Sequence, residues 1–123
     1  MLSDADAMAT IAVSDLQRAR EFYEVKIGLK LADQQPGVLT FHSGKTTLVV
    51  YPSQYAGTNQ ATVATWAVPD AEPVVAELRS RGIAFEHYDL PGLTRKGDLH
   101  VAGSFKGAWL KDPDGNILHI LSR

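Results

Sequence analysis

The sequence contains no cysteine. Disulfides, thiolate nucleophiles, zinc ribbons and iron–sulfur clusters are excluded together. It has no basic excess either: twelve Lys and Arg stand against fourteen Asp and Glu, a formal charge of -2. That balance gives no electrostatic footprint for a nucleic-acid backbone, so no such partner is expected. No apolar run approaches the roughly 20 residues that span a bilayer, and no membrane partner is expected. The start, Met1 to Asp6, is acidic and lacks the apolar stretch of a secretory signal. What is present is ordinary. A chain of 123 residues, 45% apolar and 21% charged, suits one domain with its own core, expected in the cytoplasm.

The chain repeats itself. Thr10-Ile11-Ala12-Val13-Ser14-Asp15 returns 55 positions later as Thr65-Trp66-Ala67-Val68-Pro69-Asp70. Each copy reads as a strand running into a helix cap, and each following amphipathic stretch ends at a glycine, Gly28 or Gly82. Leu16, Ala19, Phe22, Tyr23 and Ile27 recur with a helical period after Asp15. Ala71, Val74, Val75 and Leu78 do the same after Asp70, and Pro73 is tolerated in a first turn. Asp15 and Asp70 are placed to accept bonds from first-turn amides.

The remainder reads as strands. Val38 to His42 and Thr46 to Tyr51 flank Ser43-Gly44-Lys45 as a hairpin. Phe85 to Tyr88 is a further strand. Gly107 to Lys111 and Ile117 to Leu121 flank the turn Asp112-Pro113-Asp114-Gly115-Asn116. Asp89 to Ala102 reads as a long loop, either a lid or a dimer contact. The organisation expected is a single domain: module one over residues 5–53, a linker over 54–61, module two over 62–123. In each first strand the bulky residues (Ile11 and Val13, Trp66 and Val68) should lie under a helix. The opposite face is left as a place for a ligand.

Val13-Ser14-Asp15-Leu16 with Arg18-Ala19, then Phe22-Tyr23 and Gly28-Leu29, resembles the first-module signature of the vicinal oxygen chelate superfamily. Asp112-Pro113-Asp114-Gly115-Asn116 followed by Ile117-Leu118-His119-Ile120 resembles its closing motif. Glyoxalase I, bleomycin-resistance proteins, fosfomycin-resistance transferases and extradiol dioxygenases belong to that superfamily. The resemblance implies an α+β fold: two tandem βαβββ modules forming a curved mixed sheet around a concave cup, commonly assembled as a homodimer. It also implies a divalent metal in the family's enzymes, held from the first and last strands of the modules. Carried onto this chain, those positions are Met8, Val63 and His119, and the strand from Thr46 to Tyr51 offers no carboxylate or imidazole. One surviving nitrogen ligand falls short of the three protein ligands of an open catalytic site, so no metal and no cofactor are expected.

The expected ligand-binding residues are Thr10, His42, Thr65, Trp109 and His119, with His119 also the candidate catalytic base. Trp109 is open to two readings, a stacking surface or core filling. Trp66 has the opposite parity and reads as core, and Tyr51 is ambiguous. Ser43-Gly44-Lys45-Thr46 lacks the leading glycine and the following helix of a phosphate loop. Asp112 and Asp114 read as turn formers. The leading function is metal-free binding of a small aromatic or apolar molecule. The alternatives are a lyase, isomerase or dioxygenase, metal-dependent or using His119 as base, and a pure interaction module.

Overall fold

The computed structural model describes residues 1–123. A short 3₁₀ turn, Leu2–Asp4, precedes β1 (Ala9–Val13), α1 (Leu16–Arg20) and a π-helical continuation, Glu21–Lys26. Strands β2 (Lys30–Gln35), β3 (Val38–Ser43) and β4 (Thr46–Pro52) complete the first half. The second half runs β5 (Thr62–Ala67), α2 (Ala71–Ser80), β6 (Phe85–Glu86), β7 (Thr94–Lys96), β8 (Leu99–Ala102), β9 (Phe105–Lys111) and β10 (Ile117–Ser122). Asp15 caps α1 by accepting from the amides of Gln17 and Arg18, and Asp70 caps α2 by accepting from Glu72. Gly28, where the first helical segment ends, sits at φ +89°, the region glycine reaches without strain.

The repeat appears in the topology. The first sheet has strand order β1-β4-β3-β2, with β1 parallel to β4. The second has β5-β10-β9, with β5 parallel to β10 and β6 beside β9. Both halves are thus one βαβββ arrangement, and the fold is α+β with two sheets, two helices and no closed barrel.

One departure bears on the site. The segment from Asp89 to Ala102, read above as a loop, contains the β7–β8 hairpin, which pairs with β9 and extends the second sheet. Its Thr94-Arg95-Lys96 strand is exposed and charged, so it lacks the apolar alternation that marks a half-buried strand.

Eighteen buried apolar residues form a single core cluster. Ile11, Val13, Phe41, Leu48 and Val50 come from the first sheet, and Ala108, Leu110, Leu118 and Ile120 from the second. Trp66 packs against this cluster, and its indole N–H donates to Ser43 Oγ at 2.8 Å.

The two sequence signatures meet in one polar joint. Tyr23, fully buried, donates its hydroxyl to Asp112 Oδ2 at 2.8 Å. Asn116 Nδ2 donates to the same oxygen and to the carbonyl of Ala12 on β1. Asp112 Oδ1 accepts from the amides of Asp114 and Asn116. Asp114 in turn accepts from the Ser14 amide and hydroxyl, with Arg18 at 3.5 Å. Burial and the Asp112 charge push the Tyr23 phenol well above its usual range, so it remains a donor. The aspartates read as turn formers therefore also fasten the last hairpin to the first helix. The π-helical turn belongs to this joint, because it lies between α1 and Gly28 and carries the buried Phe22 and Tyr23.

Candidate functional site

Strand pairing places the expected site residues in rows. On the first sheet, Thr10 of β1 lies opposite Val49 of β4, and Val49 lies opposite Thr40 of β3. On the second, Thr65 of β5 lies opposite His119 of β10, and His119 lies opposite Trp109 of β9. The neighbours of these residues along each strand point into the core, so both rows occupy the face turned away from the helices. The structure brings Thr65, His119 and Trp109 together. Thr10 and His42 stand exposed on the other sheet, His42 opposite Thr47. Tyr51 falls on that same outward face and is partly exposed.

The second row is crowded with aromatic rings. The His119 and Trp109 rings stack at 4.1 Å with planes 4° apart. His100 meets Trp109 edge-on at 4.9 Å, and Tyr88 meets it edge-on at 5.5 Å. Phe105 lies 6.5 Å from His119. Gly107 makes room for this packing. A Cβ there would stand 2.9 Å from Phe105 Cζ and 3.0 Å from His119 Nε2. Trp109 also lines a cavity of about 350 Å³, with Tyr88, Leu90 and Ile117 among its apolar walls and Gln60 and Thr62 beside them. Of these residues, Tyr88, His100, Phe105 and Gly107 were not among those singled out from sequence. The shared parity of Phe105, Gly107 and Trp109 on one strand was the available signal.

Protonation follows from the donors around each ring. The Tyr88 amide can only donate, so His100 Nε2, at 2.9 Å, accepts. His100 Nδ1 then carries the proton and donates to the Gly107 carbonyl at 3.2 Å. Both nitrogens of this buried imidazole are hydrogen-bonded. His119 differs: its Nε2 is buried with no hydrogen-bond partner, as is the Tyr88 hydroxyl. Burial, before any other cause, pushes the His119 imidazole below its usual range, and burial likewise pushes the Tyr88 phenol up. Both are neutral near pH 7. Lys111, at the end of the row, pairs with Glu86 at 3.4 Å and is half exposed.

The comparisons with known proteins agree with this topology. A family model described as the Glyoxalase/Bleomycin resistance protein/Dioxygenase superfamily matches residues 7–120. The chain belongs to this superfamily. Among solved structures in the superfamily's fold, a glyoxalase/bleomycin resistance protein/dioxygenase from Alicyclobacillus acidocaldarius superposes with a TM-score of 0.72 at 23% identity. That alignment covers 99% of this chain and 94% of the other. TnmS3, an antibiotic binding protein from Streptomyces sp. CB03234, gives 0.68 at 21% identity, covering 96% and 97%. Lactoylglutathione lyase from Agrobacterium tumefaciens gives 0.67 at 20% identity, covering 96% and 92%. A search of curated proteins finds no match.

The superfamily's enzymes imply a divalent metal, and the donors here do not fit one. Met8 lies just before β1 and is largely exposed. Val63 sits where the β5–β10 register shifts. The first-sheet counterpart of His119 is Val49. No three His, Asp or Glu side chains converge on a point where an ion could sit. A thioether and two branched hydrocarbons do not replace hard or borderline ligands. No helix is long and apolar enough to cross a membrane.

Proposed function

We propose that this superfamily member binds a small aromatic or apolar molecule, without a metal, on the outward face of its second sheet. One observation carries the reading: Trp109 stacks on a neutral His119 and also lines the mostly apolar cavity of about 350 Å³. An indole held this way offers a broad flat surface at little further loss of freedom. Gln60 and Thr62, which line the same cavity, would supply polar contacts beside it. The likeness to an antibiotic binding protein supports the same direction. In this reading the protein is a cytoplasmic homodimer. The test is a screen of planar compounds followed by titration of any hit against the wild type and Trp109→Ala. The expected result is a loss of affinity of at least about 10-fold with the fold retained. An unchanged affinity removes Trp109 from the site.

A second reading rests on the same imidazole. His119 keeps an unpartnered Nε2 and a neutral ring, the form that accepts a proton. If the protein turns over its ligand with His119 as base, His119→Gln abolishes turnover while a hit still binds. Retained turnover in that variant rules the base out.

A further inference from the structure

The β7–β8 hairpin has no counterpart in the first sheet, where β2 alone covers the edge of β3, with one bulge between Leu31 and Asp33. In the second sheet, β6 pairs with only two residues of β9, and β8 takes up the rest of that edge. Between β6 and β7 the chain carries His87 and Tyr88, and the hairpin grips both. Asp98, in the β7–β8 turn, accepts from His87 Nε2 at 2.7 Å. Arg79 of α2 holds the other Asp98 oxygen through Nε and Nη2, at 2.9 and 2.7 Å. Arg95 Nη1 lies 3.2 Å from His87 Nδ1. A guanidinium only donates, so Nδ1 accepts and Nε2 carries the proton given to Asp98. The hydrogen bond from His87, followed by Arg79, holds the Asp98 carboxyl below its usual range. One residue on, the Tyr88 amide is fixed by His100 of β8.

We propose that this hairpin is the specificity element of the Trp109 cavity and that Asp98 is a positioning residue. It acts through His87 to hold the Tyr88 ring edge-on to Trp109. The inference rests on the binding site proposed above. The contacts run from α2 through Arg79 and Asp98 to His87, and the next residue in the chain, Tyr88, is one wall of the cavity. A flat ring lies full-face on a fixed Trp109 with its edge against Tyr88, a contact that a puckered ring of similar size makes less closely. A Tyr88 free to swing would accept either. A ligand with a planar ring system is therefore the class selected, and the selection depends on residues that do not touch it.

The experiment titrates 2-naphthol and trans-decahydro-2-naphthol into the wild type and each variant, following the backbone amide resonances of β9 and β10 by nuclear magnetic resonance. The wild type is expected to bind the flat probe at least about 5-fold more tightly, the equivalent of one good side-chain contact. Asp98→Ala and His87→Leu should bring that ratio close to one. His87→Gln, which keeps a donor for Asp98, should preserve it. A loss of stability alone would not change a ratio of affinities, and the exposed His87 pair carries the test if Asp98→Ala does not fold. A ratio unchanged in His87→Leu, with Trp109→Ala still weakening 2-naphthol, overturns the positioning role alone. If Trp109→Ala weakens neither probe, the binding site itself is wrong. Failure of the wild type to bind 2-naphthol at millimolar concentration, or to prefer it, overturns the inference.

Discussion

The first sheet carries the row Thr10, Val49, Thr40 on its outward face, and the second carries Thr65, His119, Trp109 in the same register. A valine and a threonine in one copy correspond to an imidazole and an indole in the other. The outward face of the first sheet exposes Thr10, His42 and Tyr51, whereas the second draws Tyr88, His100 and Phe105 in around its row. The two copies also end differently. The β3–β4 hairpin turns on Gly44 and Lys45, while the β9–β10 turn is built around a buried aspartate. A duplicated scaffold thus holds one face rich in aromatic chemistry and one with little of it. The difference lies in a few outward-facing positions, since the cores and strand orders correspond.

Three measurements break or sharpen this contrast. The largest effect should come from Asp112→Ala. The change leaves the Tyr23 hydroxyl and two amides without their acceptor and removes one of the two acceptors of the Asn116 side chain. A loss of about 4 kcal/mol in chemical denaturation is expected, because the bonds are buried and made to a charge. Breaking the first-sheet turn, for example with Lys45→Ala at an exposed position, should leave stability within about 0.5 kcal/mol. Equal losses from the two hairpins would show that the joint does not distinguish the copies.

Gly107→Ala comes next. The added carbon would press on Phe105 and His119. A destabilisation of about 2 kcal/mol is expected, with a displaced Trp109 indole resonance. The matching position in the first sheet, two residues before Thr40, is Val38, which already carries a side chain. Val38→Ala should cost less and leave the indole signal alone.

The smallest effect is a pH slope. The folded-state imidazole of His119 lies below its usual range, so the unfolded chain takes up a proton first as pH falls. Stability should therefore decline as pH drops below about 6.5, by at most about 1.4 kcal/mol for each pH unit, until the folded form also protonates. His119→Gln should flatten that decline between pH 7 and 5 in urea titrations. Parallel slopes for the two proteins would place the titration outside His119.

Local chemistry made most of the fold legible. Asp15 and Asp70 cap their helices as their spacing implies, Gly28 adopts the positive φ expected of a helix end, and Ser43-Gly44-Lys45 is a hairpin. Ile11 and Val13 lie in the core as strand parity requires. The site was only half legible, for a physical reason. Thr65, Trp109 and His119 meet because of pairing across three strands, and parity on each strand was enough to suggest that face. The partners of Trp109 depend on an inserted hairpin whose charged strand carries no hydrophobic pattern, so Tyr88 and His100 gave no local signal. The π-helical turn was hidden as well, since its apolar spacing resembles an ordinary helix over so few residues.

The polar joint also has a meaning for how the chain comes together. Tyr23 bonds to a residue 89 positions away, and Asn116 reaches back 104 positions to Ala12. Closing contacts that distant costs chain entropy before they repay it, which makes them slow to form. During synthesis, residues 12–23 must wait until Asp112 and Asn116 have emerged before their partners exist. Until then a nascent first half exposes a tyrosine and a strand end meant to be covered, a vulnerable interval in which chaperones or a second nascent chain could intervene.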